Sequence, residues 1–282
     1  MMNKRSTLKQ IKRFKPMKRC HNMLPILFAV MGMTSVAIAD TPKEVPAKVV
    51  SYVSKVGCKK QALPARVIAI GSSTMRGALG PRLSRVFKKD PNISFHLWGK
   101  SATGLARPDF FDWPKKVIQL IDKKKPDAWI VSLGTNDFQG LRMPDKSWIR
   151  FGSDKWLKEY TVRVRKLLEQ MAGADRNRTI IYIGPTAYSQ KRLVGRMGAA
   201  ISQVIREQVQ AFTGPAIFYD AFSVTSTAKN KPKKSFKHPE LKRRYHIHGP
   251  DNIHLSRKAL EFLLQKPVVK LLRDCLAGIN PS

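Results

Sequence analysis

Three short segments, far apart in the sequence, carry side chains suited to ester chemistry. The first, Gly71-Ser72-Ser73-Thr74-Met75, directly follows the apolar run Arg66–Ile70. A serine at a sharp turn from strand to helix presents an exposed hydroxyl, and its backbone N–H points into the same space. The second, Leu133-Gly134-Thr135-Asn136-Asp137, closes the apolar run Ala128–Leu133. There the glycine permits a tight turn, and Asn136 can aim its side-chain amide at the serine turn to stabilise a developing oxyanion. The third, Asp251-Asn252-Ile253-His254-Leu255-Ser256, precedes a helical pattern near the end of the chain. A nucleophilic serine needs a base, and the base needs an orienting carboxylate. Asp251 and His254 are spaced to bond through the imidazole within one local turn. Taken singly, each segment has a plainer explanation, since small residues fill strand–helix turns and Asn-Asp pairs are common in loops. Only the combination points to serine-based acyl chemistry.

These segments need a scaffold that brings them together, and the sequence patterning supplies one. Apolar strand-like runs at Arg66–Ile70, Ile93–Leu97, Ala128–Leu133, Thr179–Ile183 and Ala216–Asp220 alternate with helical stripes. The stripes are Leu79, Leu83, Val86 and Phe87; Trp113–Lys124; Trp156, Tyr160, Leu167 and Met171; and roughly Gly195–Phe212. A last helix, capped by Ser256, turns Leu260, Leu263 and Leu264 inward. Alternation of this kind predicts an α/β fold with five parallel strands covered by helices on both faces. In such a sheet ligands bind outside the carboxyl ends of the strands. The serine follows the first strand, Asn136 follows the third, and the Asp–His pair precedes the final helix. All three sit where that rule places a site.

The N-terminal segment has a different character. Residues 1–23 hold eight Lys or Arg and no acid, and Leu24–Ala39 is an uncharged, mostly apolar run of 16 residues ending in Ala37-Ile38-Ala39. A basic start, a short apolar stretch and small residues before a cut predict a signal peptide over 1–39, cleaved after Ala39, with export to a periplasm or beyond. The run is shorter than the roughly 20 residues of a membrane span, which leaves an uncleaved membrane anchor as the alternative. Residues 40–62 read as a Pro-containing linker with a helix, from Val45, Val49, Val53 and Val56 at helical spacing up to Gly57. Residues 63–282 form the catalytic domain.

Charge narrows the partners. The whole chain is formally +34, and without residues 1–39 it is still +26. Such a field concentrates anions: acidic polysaccharide, anionic membrane surface or nucleic acid. Export and the lack of a recognisable nucleic-acid module exclude the last. The basic stretch Lys229–Arg244 is either a holder for an acidic glycan or membrane-bound partner, or simply a solvated, mobile loop. Beyond the leader only Cys58 and Cys275 remain, which predicts one disulfide in an oxidising compartment, or else two small buried hydrophobes. Neither cysteine suggests a metal site, and no cofactor is implied.

The three motifs together resemble the SGNH, or GDSL-type, hydrolase superfamily over about Arg66 to Leu264. Gly71-Ser72-Ser73 is similar to its first block, Gly134-Thr135-Asn136-Asp137 to its third, and Asp251-Asn252-Ile253-His254 to its fifth. The resemblance implies a three-layer flavodoxin-like fold, Ser73 as nucleophile, His254 as base and Asp251 behind it. It also implies an oxyanion hole from the Ser73 N–H, a second-block N–H and the Asn136 amide. The second block falls in Gly99-Lys100-Ser101-Ala102-Thr103-Gly104-Leu105, where Gly104 or Ala102 supplies the donor. The first block departs from the pattern, with Ser72 in place of the usual acidic residue.

The Ser101–Pro114 segment, with Asn136-Asp137-Phe138-Gln139 and Tyr219-Asp220-Ala221-Phe222, is similar to an exported bacterial branch linked to acyl groups on cell-surface polysaccharides. That places Arg107, Asp109, Asp112, Trp113 and Asp137 as candidates for the substrate rim; for the first four the alternative is a self-packed loop held by ion pairs. The resemblance then implies an exported O-acyl esterase or O-acyltransferase acting on a polysaccharide, the latter working with a membrane-bound acyltransferase. A lipase or lysophospholipase, and a non-catalytic glycan-binding subunit, are the competing readings.

Overall fold

The protein's structure is a computed structural model that describes residues 51–188 and 196–281. The predicted leader, most of the linker, and Val45 and Val49 of the predicted first helix lie outside the described residues. In chain order the strands are β1 (Ser51–Val53), β2 (Ala65–Gly71), β3 (Ile93–Gly99), β4 (Ala128–Ser132), β5 (Leu141–Arg142), β6 (Trp148–Ile149), β7 (Thr179–Ile183), β8 (Ala216–Tyr219), β9 (Ser235–Lys237) and β10 (Arg244–His246). The helices are α1 (Gly80–Phe87), α2 (Trp113–Lys124), α3 (Asp154–Ala172), α4 (Arg196–Ala211), α5 (Ala221–Thr225), α6 (Arg257–Leu260) and α7 (Lys266–Leu276). A wider, π-type turn at Thr74–Leu79 leads into α1, and another at Glu261–Gln265 joins α6 to α7.

Strands β3, β2, β4, β7 and β8 lie side by side and parallel, in that order. These are the five predicted strands, and the order of connections is that of a flavodoxin-like sheet. Their residues divide by alternation. Ile68, Ile70, Trp129, Val131, Ile180 and Tyr182 face one core, closed by Trp113 and Val117 of α2, Trp156 to Met171 of α3, and Ile201 to Val209 of α4. Val67, Ala69, Ile130, Ile181 and Ile217 face the other, closed by Leu83 and Phe87 of α1 and by Leu260, Leu264 and Leu272 near the C terminus. Both faces being covered explains why the strands read as continuous apolar runs rather than alternating ones.

The sheet has a sixth strand that the patterning misses. Strand β1 runs antiparallel to β8, pairing Ser51 with Tyr219 and Val53 with Ile217. Valine spacing predicts helix there. The open edge of β8 offers a backbone ladder instead, and Tyr52 and Val53 suit a pleated surface. The Lys229–Arg244 stretch also departs from a mobile loop. It is a β9–β10 hairpin with Phe236 opposite Tyr245, anchored by His238, which is buried against Phe262. Among the described residues no helix is long and apolar enough to cross a membrane.

Cys58 and Cys275 are joined as a disulfide, with Cα atoms 4.8 Å apart. The bond ties the segment before β2 to helix α7 and closes a loop of 217 residues. Closing so long a loop removes much of the freedom of the unfolded chain, worth about 2–5 kcal/mol. Reduction, or Cys58→Ala/Cys275→Ala, should therefore lower the urea midpoint by about 1–2 M. An unchanged midpoint would show that the bond restrains nothing that unfolding releases.

Candidate active site

The chain leaves β2 for β3 on one side, then crosses to β4 on the other. The crevice beyond the ends of β2 and β4 is thus the switch point where open α/β sheets bind ligands. Ser73 stands there, two residues past β2, in helical conformation at the start of the π-type turn. Its Oγ lies 2.8 Å from His254 Nε2. On the far side of the ring, His254 Nδ1 is 2.6 Å from Asp251 Oδ2. The other carboxylate oxygen of Asp251 accepts the backbone N–H groups of Ile253 and His254, both at 3.0 Å. Burial pushes the Asp251 carboxyl upward, but these bonds from His254 and Ile253 outweigh it and hold the group down at about 2.

The loop that carries the pair is closed at both ends. The Gly249 N–H donates to His254 O at 2.8 Å, and the Ser256 N–H donates to Ile247 O at 2.8 Å. Ser256 Oγ caps α6 by accepting from the Ala259 N–H, and it donates to His246 O at 2.6 Å. Ser256 thus fixes the loop to the helix after it and to the hairpin before it. His248 adds an anchor, its Nε2 donating to Ala187 O at 2.6 Å. The side chains of His254 and Asp251 are still 37% and 48% exposed, so the site is open to water.

Opposite the serine, Gly134 takes a φ of +110°, a conformation that favours glycine, and turns the chain so that Asn136 faces the β3 loop. Asn136 Nδ2 donates to Thr103 O at 2.9 Å. The Thr103–Gly104 peptide is trans, so the Gly104 N–H is directed away from that carbonyl. Gly104 also packs directly on the Asp137 carboxylate, where any Cβ would collide with it. Ala102, the other candidate donor, is exposed on a left-handed turn with φ 60°.

Two residues expected on the substrate rim are not there. Asp137 is fully buried, accepting from the Ala106 N–H and the Tyr160 hydroxyl, each at 2.8 Å. Burial pushes its carboxyl upward, against those hydrogen bonds. It holds the Gly104 loop from beneath and does not face a substrate. Trp113 is likewise fully buried, edge-on to Trp98 and Phe111. Its large ring is what α2 contributes to the core. Asp112 caps α2 by accepting from the Lys115 N–H. Arg107 and Asp109 do remain at the surface, paired with each other at 2.7 Å, with the Arg107 guanidinium stacked over Trp148 at 4.9 Å.

Several positioning residues escape sequence reasoning. Arg163 donates to Leu105 O at 2.9 Å, Ala106 O at 3.1 Å and Arg142 O at 2.8 Å, pinning the loop that contains Gly104. Tyr188 donates to Thr135 O at 2.6 Å, steadying the turn before Asn136. Helical spacing marks Tyr160 as core, but nothing in the sequence signals that its hydroxyl reaches Asp137. Ser72 is fully buried, and its Oγ has no hydrogen-bond partner among the described residues.

A family model described as "Protein of unknown function (DUF459)" matches residues 66–270. Among solved structures, an α/β hydrolase from the metagenome of Lake Arreo, Spain, is 15% identical, with 77% of this chain and 98% of that one covered at a TM-score of 0.50. A catalytic mutant of an acetylxylan esterase from Geobacillus stearothermophilus is 16% identical, covering 79% and 100% at 0.49. No curated protein matches.

Proposed function

The chain belongs to the family described as a protein of unknown function (DUF459), and from that premise we propose that it is an SGNH-type hydrolase, an exported serine O-acyl esterase acting on polysaccharide. The observation that carries this reading is the unbroken chain from Ser73 Oγ through His254 to Asp251. Ser73 Oγ attacks the ester carbonyl carbon while His254 Nε2 takes its proton. Asp251 keeps the other ring nitrogen protonated and faces the imidazolium that forms. The oxyanion is assigned to the Ser73 N–H, the Gly104 N–H and Asn136 Nδ2, whose second hydrogen is left over from its bond to Thr103 O. As the tetrahedral adduct collapses, the sugar oxygen leaves with the proton from His254. Water, deprotonated by the same nitrogen, then releases the acid and restores Ser73.

Water is favoured over a sugar as acceptor because the His254–Asp251 pair is open to solvent. A transferase has to exclude water from its acyl-enzyme. The disulfide supports export, since such bonds persist in oxidising compartments. A polysaccharide substrate fits both that location and a strongly cationic chain.

The test uses an acetylated xylo-oligosaccharide and, separately, a fluorophosphonate. We expect free acetate to appear, and the fluorophosphonate to add one mass adduct that maps to the peptide holding Ser73. Acyl transfer to an added oligosaccharide, seen by mass spectrometry without free acetate, would replace hydrolysis with transfer and call for a donor such as a membrane-bound acyltransferase. An adduct on any other residue would remove Ser73 from the mechanism.

A further inference from the structure

A groove opens beside the catalytic pair, between the helical turn that follows Ser73 and the helix that follows His254. It is lined by the apolar Ala78, Pro81 and Leu255 and by the charged Arg82, Arg85 and Arg257. Arg82 and Arg85 project from one face of α1 at a spacing of three residues. Arg257 begins α6, three residues beyond His254. Both elements that line the groove thus begin next to a catalytic residue.

Several arginines elsewhere in the molecule are neutralised by an acid. Arg66, Arg107, Arg163, Arg176 and Arg273 each hold a carboxylate. Among the described residues none of the groove arginines is in an ion pair, and Arg82 contacts only the neutral Gln265 Oε1, at 3.3 Å. Three cations lining one groove make a surface on which an anion can be held. Guanidinium forks suit planar carboxylates, which they grip with two parallel bonds. The positive path continues past the groove, because α6 packs on β10, the strand that begins with Arg244.

We propose that this groove is the subsite for an anionic glycan, binding carboxylate-bearing sugar residues beside the acylated one. The assignment rests on the esterase reading above and narrows its substrate to uronate-containing polysaccharide. A lining that mixes apolar and cationic side chains matches such a chain, whose sugar faces are apolar and whose carboxylates project sideways.

The test is fluorescence anisotropy with labelled hexagalacturonate, compared with neutral xylohexaose. It requires no turnover, so a failed serine mechanism and a failed groove are scored separately. We expect hexagalacturonate alone to bind, and Arg82→Ala/Arg85→Ala/Arg257→Ala to weaken it by about tenfold or more. Lys155→Ala/Lys158→Ala/Lys166→Ala removes the same charge from α3, on the opposite face of the sheet, and should change binding less than twofold, roughly the limit of a diffuse field effect. Arg82→Lys/Arg85→Lys/Arg257→Lys keeps the charge without the fork and should fall between. Circular dichroism establishes that each variant is folded. Equal losses in the groove and α3 variants would reduce the effect to net charge and overturn the proposal. So would xylohexaose binding as tightly as hexagalacturonate, or groove variants that lose only binding to phosphatidylglycerol vesicles.

Discussion

Ser73→Ala is expected to lower kcat/KM for 4-nitrophenyl acetate by about 10⁴-fold or more, close to the rate left by oxyanion donors alone. The size follows from what the substitution removes. No other hydroxyl stands within hydrogen-bond reach of His254 Nε2 among the described residues. The fold should hardly notice, since the Ser73 side chain is half-buried and its Oγ bonds only to that ring. Melting should therefore shift by less than about 1 kcal/mol equivalent. The double variant Ser73→Ala/His254→Ala should be no slower than Ser73→Ala, because the two groups act as one unit. Full activity in Ser73→Ala would end the serine mechanism outright.

The second large effect is at Asp251. Asp251→Asn should cost about 10³–10⁴-fold in kcat with little change in KM. An Asn can still accept the Ile253 and His254 N–H groups through one oxygen, so the turn survives. Its NH2 group then faces His254 Nδ1, which must become the acceptor, and the ring proton moves to Nε2. A ring protonated at Nε2 cannot take the proton of Ser73. A loss below tenfold would mean that the ring needs no orienting carboxylate.

The pH dependence has a definite sign. The Asp251 carboxyl is held at about 2, against an ordinary value of 3.8. A depressed acid adds stability above its unfolded value and loses it as the pH falls through its folded one. The stability difference between wild type and Asp251→Asn should thus be level from about pH 5 to 8 and vanish toward pH 2. Chemical denaturation across that range reads it, and a difference already gone at pH 5 would contradict the geometry.

Much of this architecture is legible in the sequence because it is local. Buried parallel strands are short apolar runs and amphipathic helices carry a periodic stripe, so strand Thr179–Ile183 and helix Trp113–Lys124 can be read to the residue. The Asp251–His254 pair is legible for the same reason, as one turn of chain holds both partners. Long-range contacts leave no such trace. Strand β1 exists only because β8 offers an edge more than 160 residues later. Asp137 reads as a polar residue in a loop motif, and distant partners, the Tyr160 hydroxyl and the Ala106 N–H among them, make its burial tolerable. Trp113 has the composition of a sugar-stacking residue and the position of a core residue, and helical spacing does not separate the two.

The disulfide has a consequence for a molecule exposed to proteases. Ser73 and His254 both lie inside the covalent ring that Cys58 and Cys275 close. A single cut anywhere within that ring, including the tip of the basic hairpin, leaves one connected molecule rather than two fragments. Nucleophile and base then stay tethered after a nick, so backbone integrity and catalytic lifetime need not end together.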